Sequence, residues 1–172
     1  MLAKGVVSME LSKKLETAIN EQIQAELYSA YMYLSMSAYF EDIAMPGFAH
    51  WMREQTEEEM EHAMKFYHYV VERGGRVVLH SIQQPPVEFE SVLDVAEKTY
   101  AHEQHVTSLI YKLYELALAE KDHATAVFLQ WYINEQVEEE DNTRTILEQV
   151  QRMGQNPQAL LMFDRHLGER GD

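Results

Sequence analysis

The chain contains no cysteine. Disulfides, iron–sulfur clusters and thiolate zinc sites are therefore excluded together. Basic residues are also scarce. Fourteen Lys and Arg stand against 29 Asp and Glu, a formal charge of −15 at pH 7. Such a surface repels nucleic acid and anionic lipid and attracts cations, so neither nucleic acid nor a membrane is an expected partner. No apolar run is long enough to span a bilayer, and the densest, Tyr28 to Phe40, is bracketed by Glu26 and Glu41. Met1 to Ser8 carry no apolar core of signal-peptide length, so a cytoplasmic location is expected. With 172 residues and 46% hydrophobic content, the chain suits one domain, 1–172, with a full core.

Helical periodicity fills most of the chain. Ser8 is a candidate cap for a first helix running to about Glu41. Its inner face would carry Ile19, Ile23, Glu26, Ala30, Tyr33, Ser37 and Phe40. Pro46 suits the first turn of a second helix, which stops at Gly74-Gly75. Its face reads Phe48, Met52, Gln55, Glu59, His62, Phe66 and Tyr69. The connection between these helices is short, so they should pack antiparallel. From Gly74 to about Ser91 there is no helical period, and Pro85-Pro86 falls inside. Extended at about 3.3 Å per residue, this segment reaches over roughly 50 Å. A helix of about 28 residues spans roughly 42 Å, so the segment can run the length of a bundle. Ser91 with Asp94 resembles a capping box and opens a third helix. Its face reads Val92, Ala96, Thr99, Glu103, Val106, Ile110, Leu113 and Ala117. After a break at Lys121-Asp122, a fourth helix returns with Leu129, Tyr132, Gln136, Glu139, Thr143, Ile146, Val150 and Met153 inward, and Gly154 ends it. Asn156-Pro157 starts a short fifth helix to about Leu167. Leu160, Leu161, Phe163 and Leu167 make it more apolar than a solvated tail needs, which suggests an association surface. The expected fold is all-α: a four-helix bundle with one long crossover between helices 2 and 3 and a short C-terminal helix.

Glu59 and His62 lie one turn apart on a mostly apolar face. By itself Glu-x-x-His fits a charged helix as well as a metal site. The other seams change the balance, because each of the four carries one glutamate: Glu26, Glu59, Glu103 and Glu139. Four buried carboxylates repel one another and are costly to desolvate. They must take up protons or bind cations. Carboxylates with a single imidazole suit iron or manganese, and zinc can occupy such a site. His102-Glu103-Gln104-His105 comes near a zinc-protease motif, but Val106 stands where that motif needs histidine. His50, His68, His80, His123 and His166 read as surface or packing residues, and Trp51 and Trp131 as packing or helix-contact residues.

Four stretches then carry a specific resemblance: Glu26-Leu27-Tyr28-Ser29-Ala30-Tyr31, Glu58 to His62, Tyr100-Ala101-His102-Glu103 and Asn134 to Glu140. Together they resemble the non-haem ferritins of bacteria and archaea, over essentially the whole chain. The resemblance implies iron storage in a homo-oligomeric cage, most simply of 24 subunits. It implies a ferroxidase that turns Fe(II) to Fe(III) with dioxygen or hydrogen peroxide at a di-iron site. By position, Glu26, Glu59 and His62 resemble the ligands of one iron. Glu59, Glu103 and Glu139 resemble those of the second, with Glu59 bridging. Gln136 resembles the polar group on the dioxygen side, and Tyr33 the family's redox tyrosine. Glu58, Glu135 and Glu138, with Glu139, resemble a third iron site.

The departures carry information too. Bacterioferritins have a second Glu-x-x-His on the fourth helix, whereas this chain has Glu139-Glu140-Asp141-Asn142. The second metal should be held more weakly. Met60 stands where a bacterioferritin places its haem-ligating methionine; without the other marks of that group it reads as packing, and no haem is expected. The acidic pore of animal ferritins aligns with Ala126 and Leu129, which argues against that iron route. A dimetal oxygenase or peroxidase, and a passive metal-binding bundle, are the competing readings. The absence of cysteine leaves a rubrerythrin-like peroxidase without its electron-transfer iron.

Overall fold

The computed structural model describes residues 9–169. Five helices follow in order: α1 Lys13–Asp42, α2 Pro46–Glu72, α3 Val92–Ala119, α4 His123–Met153 and α5 Pro157–Leu167. No strand occurs among the described residues, and no helix there is long and apolar enough to cross a membrane. α1 pairs along α2 and α3 along α4; the two pairs meet through α1 and α3, and α5 lies against α2.

The helix starts show how short side chains satisfy orphan backbone donors. Ser12 Oγ accepts from the Leu15 amide at 3.2 Å, so α1 is capped by Ser12. This corrects the expectation for Ser8, which lies outside the described residues. Ser91, Asp122 and Asn156 cap α3, α4 and α5 as their sequence positions indicate. α2 differs, because its own cap residue Met45 offers no side-chain acceptor. The missing acceptor comes from α5: Asp164 Oδ1 accepts from the Phe48 amide at 2.9 Å, across 116 positions of sequence. Gly47 makes this approach possible, since a Cβ there would sit 1.6 Å from the Asp164 carbonyl oxygen.

α5 is accordingly part of the subunit core, which corrects its reading as an association surface alone. Phe163 and Leu167 are buried, and Phe163 meets Phe48 edge-on. Leu160 is half-buried against the same cluster, and Leu161 and Met162 face out.

Residues 74–91 cross over beside α1, as the chain-length argument requires. α1 holds this strap with side chains spaced along its length. Asn20 donates to the Arg76 carbonyl and accepts from the Val78 amide, at 3.0 and 2.9 Å. Gln24 donates to the Ser81 carbonyl and Ser35 to that of Pro86, at 2.5 and 2.7 Å. An extended chain with no strand partner must satisfy its polar groups elsewhere, and these contacts do so.

Two apolar clusters fill the interior. Near the α1–α2 turn are Met36, Phe40, Phe48, Trp51, Met52, Val92, Val95 and Phe163. Toward the other end are Ile19, Ile23, Phe66, Val70, Val106, Ile110 and Leu129. Each inward residue expected on α1, α2 and α3 is buried, while on α4 Ile146 and Met153 are half-buried. Between the clusters lies a layer of charged and amide side chains.

Candidate metal centre

That layer holds Glu26 from α1, Glu59 and His62 from α2, Glu103 from α3, and Gln136 and Glu139 from α4. All six are at most 5% exposed. Each stands on its seam because a step of three or four residues returns to the same helix face.

Glu26, Glu59 and His62 form one compact group, with one ligand atom from each within 4.8 Å of the others. Gln22 Nε2 donates to Glu26 Oε1 at 2.9 Å. Glu26 and Glu59 are hydrogen-bonded to each other, which requires a shared proton. Burial, and then the charge of Glu59, pushes the Glu26 carboxyl well above its ordinary range. Burial, and then the charge of Glu103, does the same to Glu59. Glu59 Oε2 is buried with no hydrogen-bond partner. The imidazole nitrogen His62 Nδ1 stands 3.4 Å away without forming a hydrogen bond. A bare, buried carboxylate oxygen is costly unless something positive fills the space beside it. Oxygen, oxygen and imidazole nitrogen are a donor set that fits a divalent iron-like ion.

The α3–α4 half is built differently. Glu103 Oε1 accepts from Tyr33 Oη, and Glu103 Oε2 from Gln136 Nε2 at 3.2 Å. Glu139 Oε2 accepts from Gln55 Nε2 at 2.9 Å. Burial raises the Glu103 carboxyl, against the lowering effect of its two donors. Burial, followed by the charge of Glu103, raises Glu139 to about 7. Burial, reinforced by that same charge, pushes the Tyr33 phenol well up, so it stays protonated and donates. Glu103 and Glu139 do not join the compact group around Glu59 in this geometry.

The three further acids separate. Glu58 and Glu135 are half-buried and border a groove of about 710 Å³ between α2 and α4, with His62 and Trp131. Glu135 Oε1 stands 3.9 Å from His62 Nε2. Glu138 is exposed and lines a different cavity, between α3 and α4, beside Gln136 and Glu140.

Several neighbours escaped the sequence reading. Gln22 stands one turn before Glu26, Gln55 was visible only as an amide on a seam, and Thr107 lies one turn after Glu103. His102 Nε2 is 2.7 Å from Ser29 Oγ, and its ring meets Tyr33 edge-on. Burial, then nearby His105, lowers its pKa to about 4. Trp131 covers His62 edge-on at 5.4 Å, with the Lys65 ammonium 3.9 Å from its ring centre. Met60 is 43% exposed and packs in no core, because it sits one position round α2 from the seam. Ala126 and Leu129 are buried inside the subunit.

Comparison with known proteins agrees with this architecture. The family described as Ferritin-like domain matches residues 16–153. A bacterial non-heme ferritin of Bacteroides fragilis is 43% identical over 160 residues, 93% of this chain and 99% of that protein. One from Staphylococcus epidermidis is 39% identical over 160 residues, 93% of this chain and 96% of the relative. Among solved structures, an open pore ferritin from the hyperthermophilic archaeon Archaeoglobus fulgidus superposes with a TM-score of 0.93 at 49% identity, over 94% of this chain and 99% of that one. Matching in sequence and in fold along nearly its whole length, the chain belongs to the ferritin family.

Proposed function

We propose that this chain is an iron-storage ferritin that oxidises Fe(II) inside each four-helix subunit and keeps the Fe(III) as mineral in a closed homo-oligomer of 24 copies. The observation that carries the reading is the buried, unpartnered Oε2 of Glu59 beside Glu26 and His62. Fe(II) is the substrate. Its first position is Glu26, Glu59 and His62; its second is Glu59, Glu103 and Glu139. Each Fe(II) gives up one electron. Two of them reduce one dioxygen, which takes two protons and leaves as hydrogen peroxide; peroxide is the alternative oxidant.

The chain's own groups prepare this. Cation arrival displaces the proton shared by Glu26 and Glu59, so the carboxylates become anionic when a positive charge is there to offset them. Gln136 orients Glu103 from the oxidant side. Tyr33, hydrogen-bonded to Glu103, is the redox tyrosine that can supply a further electron. Glu58, Glu135 and Glu138 hold a third iron in passage, with Glu139. No haem takes part. The single domain works in the cytoplasm, with its acidic surface drawing Fe(II) toward the shell.

The test is particle mass together with iron content after aerobic Fe(II) loading. Storage predicts a large particle holding hundreds of irons. About two irons per chain would point to a dimetal oxygenase, and a monomer at every salt concentration would remove the cage and the storage function together.

A further inference from the structure

Of the compact group Glu26, Glu59 and His62, only His62 lines the α2–α4 groove. Its imidazole stands between the two spaces. Nδ1 faces Glu59 Oε2 at 3.4 Å, and Nε2 faces Glu135 Oε1, in the groove wall, at 3.9 Å. A cation held by the group must pass this ring to leave by the groove. Trp131 stands beside the ring, edge-on at 5.4 Å. The indole is 37% exposed, and no hydrogen bond fixes it among the described residues. What it does have is the Lys65 ammonium, 3.9 Å from its ring centre. Glu61 lies one turn before Lys65, a spacing at which the two would ordinarily pair. Lys65 nevertheless makes no ion pair among the described residues. Its charge is directed at the indole instead. Lys65 follows His62 by three positions on α2, and Trp131 precedes Glu135 by four on α4. The lysine–indole contact therefore lies one turn along the groove from the imidazole–carboxylate contact.

We propose that Lys65 is a positioning residue that clamps the Trp131 indole beside His62, so that the pair gates exchange between the groove and a cation at Glu26, Glu59 and His62. An ammonium over an indole face is attracted by the ring quadrupole. At an exposed site this attraction shifts an open–closed equilibrium by about two- to fivefold. Without Lys65 the indole swings into solvent more often, and the cation passes in and out faster. Both rates rise together, so affinity changes little. Simple charge repulsion predicts the opposite for departure. Removing a positive charge near a bound cation would hold that cation longer.

The gate rests on the reading of Glu26, Glu59 and His62 as a metal position, and release of Co(II) tests the two separately. The protein is loaded with substoichiometric Co(II) and mixed with excess EDTA in a stopped-flow cell. Visible absorption follows the release, and rates are extrapolated to zero chelator. Lys65→Gln should release Co(II) about two- to fivefold faster than the intact protein, with no loss of affinity by calorimetry. Lys65→Arg keeps a cation over the ring and should release as the intact protein does. Trp131→Leu should release at least as fast as Lys65→Gln, and adding Lys65→Gln to it should bring no further acceleration. Release from Lys65→Gln that is no faster than from the intact protein overturns the proposal. So does an equal acceleration by Lys65→Gln in the Trp131→Leu background, because the lysine would then act without the indole. A fall in affinity matching the gain in rate overturns it as well, since a distorted site would explain the release. If the intact protein binds no Co(II), the metal reading itself fails and the gate falls with it.

Discussion

The α1–α2 half of the centre and the α3–α4 half use similar residues to opposite effect. In the first, Glu59 Oε2 is left without a donor and an imidazole stands beside it. In the second, Tyr33, Gln136 and Gln55 supply donors to Glu103 and Glu139. An ion arriving at the first half gains a ligand oxygen that nothing else holds. At the second half it must displace or share with existing donors, and no second histidine helps it. On the proposed function, donor placement, more than carboxylate number, separates the position that holds a cation from the one that releases it. This is the physical counterpart of the missing Glu-x-x-His on α4.

The comparison is broken most severely by removing the shared carboxylate. Glu59→Ala, and His62→Ala with it, should lower fast Fe(II) oxidation by roughly three orders of magnitude. The assembly should stay folded, because the seams around both residues supply the packing. Stopped-flow absorbance after anaerobic mixing and oxygen addition reads the rate; wild-type rates in both variants would remove the site assignment.

The next largest effect is on stability. Glu139 has a folded pKa of about 7 against an ordinary value of 4.5, so the folded state binds more protons than the unfolded state between those pH values. Stability of the metal-free subunit should therefore fall as pH rises through that window, by on the order of 3 kcal/mol from this group. Glu26, Glu59 and Glu103 shift in the same direction and add to the trend. A divalent ion should restore more stability at pH 8 than at pH 5. Denaturant titrations with and without Zn(II) at both pH values measure this, and an apo-protein that gains stability with pH would contradict it.

Filling order sharpens the contrast. Substoichiometric Co(II) should occupy Glu26, Glu59 and His62 first, with about tenfold tighter binding than the second position. Tyr33→Phe removes one donor from the second half. It should leave both ions bound while slowing later turnovers by about tenfold. Anomalous diffraction from partly loaded crystals shows the order, and equal occupancies would erase the distinction.

The smallest effect tests whether the distinction depends on the frame. Asp164→Ala should cost about 1–2 kcal/mol by uncapping α2 from the side of α5. The filling order should survive, since the Phe48 amide lies in the first turn of α2, about three turns before Glu59. Thermal unfolding paired with Co(II) titration checks both halves of that statement.

Much of this was legible in the sequence because it is local. A period of three and four residues fixes which side chains share a helix face, whatever the helix later meets. Pro46, Gly74, Asp122, Gly154 and Asn156 mark ends for reasons that hold within a turn or two. The start of α1 was misplaced because two serines, Ser8 and Ser12, offer the same cap chemistry, and only the docked chain shows Ser12 accepting the Leu15 amide.

What needed the tertiary structure is a matter of register and rotation between helices. Sequence places one glutamate on each seam. It does not place Gln55 opposite Glu139, 84 residues away, or Tyr33 opposite Glu103, 70 residues away. Nor does it make Asp164 the cap of a helix that begins more than a hundred residues earlier. Periodicity repeats along one helix and costs nothing to read. A hydrogen bond between helices exists only when both are turned and slid to within about 3 Å of one arrangement. The sequence by itself therefore determined the bundle, its crossover and the layer of inward acids, while the packed structure decided which oxygen of that layer was left bare.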